Sequence, residues 1–73
     1  MNLLNGRIGT DYQVLNVNLI RAAEGRLQAL GLTKGTEIKV LNRKRSGSII
    51  FKVRGTRLAV GKEIAEAIEI GEV

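Results

Sequence analysis

Glycine punctuates this chain more than any other residue. Gly6, Gly9, Gly25, Gly31, Gly35, Gly47, Gly55, Gly61 and Gly71 divide the 73 residues into short apolar runs, and there is no proline. Runs so short cannot build long helices, and turn signals at this spacing suit a small all-β barrel or sandwich. No internal repeat, low-complexity tract or linker interrupts the pattern, so residues 1–73 read as a single domain. A hydrophobic fraction of 44% is ordinary for a globular domain and too high for a disordered tail.

Composition removes several chemistries at once. With no Cys and no His, thiol nucleophiles, zinc fingers, imidazole metal sites and histidine acid–base catalysis are excluded. A disulfide-stapled secreted scaffold is excluded as well, and a reducing, cytoplasmic setting becomes the expectation. No apolar run approaches the ~18 residues of a membrane span. Met1 to Arg7 has neither the basic start nor the apolar stretch of a signal peptide. Twelve Lys+Arg against seven Asp+Glu leave a net charge of +5, which favours an acidic partner: a protein face, an anionic membrane surface or nucleic acid.

The period of the apolar residues assigns the elements. Tyr12 to Val17 is rich in β-branched and aromatic residues and reads as a first strand. From Leu19 to Leu30 the period changes, with Ile20, Ala23, Leu27 and Leu30 spaced for one face of a helix, Asn18 as its N-cap and Gly31 at its end. Gly25 weakens that helix and concentrates it in Glu24 to Leu30. Thr36 to Leu41 alternates Ile38 and Val40 with Glu37 and Lys39, a strand with one buried and one wet face. Asn42 to Gly47 is a polar, basic loop. Ser48 to Val53 follows as a strand with Ile49, Phe51 and Val53 inward. Arg54-Gly55 then makes a tight connection to Thr56–Val60, in which Leu58 and Val60 point inward. Lys62 to Ala67 fits one or two helical turns, and Ile68 to Ile70 closes the fold as a last short strand. The six side chains expected at its centre are Val14, Ile38, Val40, Phe51, Leu58 and Ile70.

The run Arg26-Leu27-Gln28-Ala29-Leu30-Gly31-Leu32-Thr33-Lys34-Gly35, continuing through Thr36-Glu37-Ile38-Lys39-Val40, resembles the most recognisable segment of the FeoA family. Ile49 to Val60 is similar to that family's second hairpin, and Lys62 to Ile70 to its closing helical turn and strand. The resemblance spans roughly residues 12 to 70. It departs in the Arg43-Lys44-Arg45-Ser46-Gly47 loop, which lacks the family's proline-containing turn, and in the short N-terminal lead-in. What it implies is a five-stranded SH3-like barrel, all-β, with a short helix between strands 1 and 2 and a helical turn before the last strand. It further implies a non-enzymatic cytosolic accessory of bacterial ferrous iron uptake, acting on the transmembrane GTPase transporter FeoB. The same domain type ends DtxR-like metal-dependent repressors, and this chain has no room for their helix-turn-helix.

Candidate functional residues follow from charge and exposure. Arg43, Lys44 and Arg45 form the sharpest cationic feature, which Lys39, Lys52 and Arg57 extend if they point outward from neighbouring strands. Such a patch suits an acidic protein face or anionic head groups; phosphate contact with RNA or DNA is the alternative. Nucleic-acid binding normally adds aromatic platforms, and the chain holds only Tyr12 and Phe51, the latter directed inward, so no nucleic-acid partner is expected. Leu27, Leu30 and Leu32 either cap one mouth of the barrel or leave an exposed docking ridge. Glu63 and Glu66 share a helix face but without His or Cys make no strong metal site, and the Gly31–Gly35 turn lacks the Gly-Lys-Ser/Thr of a phosphate loop. No catalytic group, metal or cofactor is assigned. Self-association through an open strand fits a domain of this size.

Overall fold

The computed structural model describes residues 1–18 and 31–73. A 3-10 helix at Leu3–Asn5 precedes five strands: β1 (Asp11–Val17), β2 (Glu37–Arg43), β3 (Ile49–Val53), β4 (Thr56–Val60) and β5 (Ile68–Glu72). A short helix, α1 (Lys62–Ala67), stands between β4 and β5. All neighbours are antiparallel, in the order β4-β3-β2-β1-β5. The strand Thr56–Val60 and the helix Lys62–Ala67 have the bounds read from the sequence. The helix expected over Leu19 to Leu30 lies outside the described residues.

Alternation builds the core. Tyr12 and Val14 of β1, Ile38 and Val40 of β2, Ile49, Phe51 and Val53 of β3, Val60 of β4 and Ile68 and Ile70 of β5 are all buried. Leu58 packs against them while partly exposed. Each such side chain contributes roughly 1.5–3 kcal/mol when it leaves water. The sheet bends because β1 is bulged between Val14 and Asn16 and β2 between Val40 and Asn42. Leu15, next after Val14 and on the other face of β1, is exposed. Beyond its own bulge, β2 runs on to Arg43, which pairs with Ile49 and shortens the connecting loop from the one expected at Asn42 to Gly47.

The fold begins earlier than the strand pattern suggests. Leu3 is fully buried in the core and Leu4 packs on it, although the alternating pattern starts only at Tyr12. Asn2 caps the 3-10 helix by accepting a hydrogen bond from the Leu4 amide. Gly6 is the point of closest approach: a Cβ there would stand 2.9 Å from Val40 Cγ2 and 3.3 Å from Ile70 Cδ1. Past Gly6, the Arg7 amide donates to the hydroxyl of buried Tyr12 at 2.8 Å. Glycine is therefore required at position 6 by space, and the chain reaches β1 by crossing directly over the core.

Candidate partner-binding surface

The register of the sheet assembles charges that are scattered in sequence. Asp11 on β1 faces Lys39 on β2, Lys39 faces Lys52 on β3, and Lys52 faces Arg57 on β4. All four are exposed on the outer face, opposite the core. The result is a transverse row, one anion followed by three cations. Like charges directly opposite on neighbouring strands destabilise a sheet. Lys52 has one on each side.

The hairpin that fixes half of this row has a two-residue loop. Arg54 and Gly55 both take positive φ, 50° and 79°, as a type I′ turn matched to strand twist requires. Glycine adopts this region freely, whereas arginine does so at a cost. The Arg54 stem lies over Gly31, where a Cβ would come within 3.0 Å of its Cδ. Asp11, Glu37, Lys39, Lys52, Arg54 and Gly55 line a shallow recess of about 290 Å³ beside the row. Sequence reasoning included Lys39, Lys52 and Arg57 but passed over Arg54. Its signal was the Arg-Gly pair placed between two alternating runs.

The basic triplet does not act as a unit. The Arg43 guanidinium donates through Nη2 to the carbonyl oxygens of Leu4, at 2.8 Å, and Gly6, at 2.6 Å. It clamps the N-terminal segment and is committed to the fold. Lys44 and Arg45 remain exposed in a turn closed by the Lys44 amide on the Ser48 carbonyl. The docking-ridge expectation fails at Leu32, which is fully buried in the core. Its side chain contributes to packing and offers no surface. Leu27 and Leu30 lie outside the described residues.

Other chemistry finds little support in this geometry. The two aromatic residues, Tyr12 and Phe51, are both buried, so neither can offer a ring face to a nucleobase. Glu63 and Glu66 are exposed on α1. Among the described residues, no three His, Cys, Asp or Glu come together as metal ligands. Nor is any described helix long and apolar enough to cross a membrane.

Comparison with known proteins places the whole arrangement. The family model for the FeoA domain matches residues 1–71. The chain belongs to the FeoA family. Among solved structures, the FeoA protein of Chlorobium tepidum is 30% identical with a TM-score of 0.92, over 100% of this chain and 70% of its own. A FeoA crystal structure described as an iron uptake regulatory protein is 33% identical with a TM-score of 0.84, over 96% of this chain and 92% of that one. FeoA of Stenotrophomonas maltophilia, a procaryotic SH3-domain protein crystallised with zinc, is 25% identical with a TM-score of 0.80, over 97% and 89% of the two chains. No curated protein matches. The fold is thus the SH3-like one that the resemblance implies, and the FeoA family is linked to ferrous iron transport. The family match also takes in the N-terminal segment, from Met1, which the sequence resemblance left out.

Proposed function

We propose that this chain is a non-enzymatic, cytosolic accessory of ferrous iron uptake that binds the cytosolic face of the FeoB transporter. Binding acts by population shift: the accessory favours whichever conformational state of the GTPase displays the better complementary surface. The observation that carries this reading is the match of the FeoA domain model to residues 1–71. The exposed row of Lys39, Lys52 and Arg57 supplies the contact, with Lys44 and Arg45 as a second cationic element. Cations at such a surface speed encounter with an acidic face and select against basic ones. Arg43 acts indirectly, by holding the N-terminal segment.

Titrating the full chain against the transporter's cytosolic domain tests the proposal. Saturable binding that weakens as salt rises is the expected result. Absence of binding at high micromolar concentration, both with and without guanine nucleotide, overturns it.

A further inference from the structure

The outer edge of β4 is where the cationic row ends, and no strand among the described residues pairs with it. Antiparallel strands alternate between residues whose main chain bonds the neighbour and residues whose main chain points away. Counting from the two-residue loop, Thr56, Leu58 and Val60 bond β3, so the N–H and C=O groups of Arg57 and Ala59 point outward. Among the described residues, no main-chain group pairs with that edge. Helix α1 packs chiefly on the 3-10 helix and β5. The same two residues place their side chains on the outer face, where Arg57 continues Lys52 and Lys39.

From this juxtaposition we infer that β4 receives an extended acidic segment of the partner as an added strand. The inference rests on the accessory reading above and names how the partner is held. An incoming strand would lie ~4.8 Å from β4, close enough for its outward side chains to meet Arg57 and approach Lys52. Carboxylates at alternate positions would relieve the repulsion that Lys52 experiences from both neighbours. A second copy of this chain suits the edge poorly, because pairing β4 with β4 brings two Arg57 side chains and two cationic rows together. Main-chain pairing supplies affinity, and the row supplies selection for acid.

Titration of the isotope-labelled chain with a blocked peptide of about six residues alternating Glu and Val provides the test, with a Lys and Val peptide as the control. The Arg57 and Ala59 amides are expected to shift and to gain protection from hydrogen exchange with the acidic peptide alone. Lys52→Glu is expected to raise the melting temperature, since it replaces two repulsions by attractions, and yet to weaken the peptide at least about tenfold. Loss of binding in a more stable protein cannot be a folding defect. Ala59→Pro removes the outward N–H without touching a β3 hydrogen bond and is expected to weaken binding similarly. Shifts confined to Lys39 and Lys52, with the Ala59 amide unmoved, overturn strand addition. Shifts of the edge amides with protein concentration alone assign the edge to a second copy and overturn the acidic occupant, as does an oligonucleotide that binds where the peptide does not. If the transporter domain binds Lys52→Glu and Ala59→Pro undiminished, the edge inference fails and the accessory reading stands; if that domain never binds while the peptide does, the reverse holds.

Discussion

The sheet has two edges, and they end differently. On β5 the chain's own beginning does the covering: the Ile70 amide donates to the Met1 carbonyl at 2.8 Å, and Asn2 bridges to Glu69. Leu3 fills the space beneath, and Arg43 reaches across to hold the carbonyls of Leu4 and Gly6. On β4 the described residues provide no such cover, and the protection against stray pairing is shortness and charge, with Arg57 on the edge beside Lys52. A domain this small can seal an edge only with the few residues it has. It has used its N-terminus for packing at one side and kept cations at the other. Packing and binding are therefore separable by mutation.

The sealed side carries the larger effects. Leu3→Ala removes a fully buried side chain and is expected to cost about 2–5 kcal/mol in urea unfolding, enough to unfold much of the population of a marginal domain. Gly6→Ala comes next. Its Cβ would stand 2.9 Å from Val40 Cγ2, so core side chains must move, at about 1–3 kcal/mol. An unchanged urea midpoint for either variant would mean that the N-terminal segment is not part of the folding unit.

Arg43 sharpens the contrast because its neighbours in sequence serve as controls. Arg43→Met keeps much of the stem but loses two charged hydrogen bonds to main-chain carbonyls, and roughly 1 kcal/mol of stability should go with them. Lys44→Ala and Arg45→Ala, exposed and outside those bonds, should stay within about 0.5 kcal/mol of the parent. Equal effects at all three positions would show that the clamp contributes nothing in solution.

The same residues explain what was and was not readable beforehand. Strands with one wet and one buried face announce themselves: of the six side chains expected inward, Val14, Ile38, Val40, Phe51 and Ile70 are buried and Leu58 is partly buried. Leu3 and Leu4 are too few to show a period, and a glycine kept small by a neighbouring methyl looks like any turn glycine, so the seal on β5 left no pattern. Arg43, Lys44 and Arg45 are equivalent as letters; only the bulge after Val40 and the pairing of Arg43 with Ile49 separate a clamp from a solvated loop. Leu32 reads equally well as ridge or core until its neighbours are placed. The cationic row was half visible. The two-residue connection fixes Lys52 opposite Arg57, but the longer loop and the bulge leave the place of Lys39 to the fold.

The smallest expected effect lies on the open side and has the opposite sign. Arg54 occupies a backbone conformation that asparagine accepts more readily, in a turn for which Asn-Gly is the favoured pair. Arg54→Asn should therefore relieve strain, while forfeiting the contact of the arginine stem with Gly31. The strain term is the larger of the two, since an exposed stem over a glycine buries little, and a net gain of roughly 0.5 kcal/mol is expected in the urea midpoint. Binding should move the other way, because the recess beside the row loses a cation next to Lys39 and Lys52. A variant that gains stability and keeps full affinity for the acidic peptide would remove Arg54 from the surface. The arginine would then be a tolerated misfit in the turn, and the open edge would rest on Lys52 and Arg57 alone.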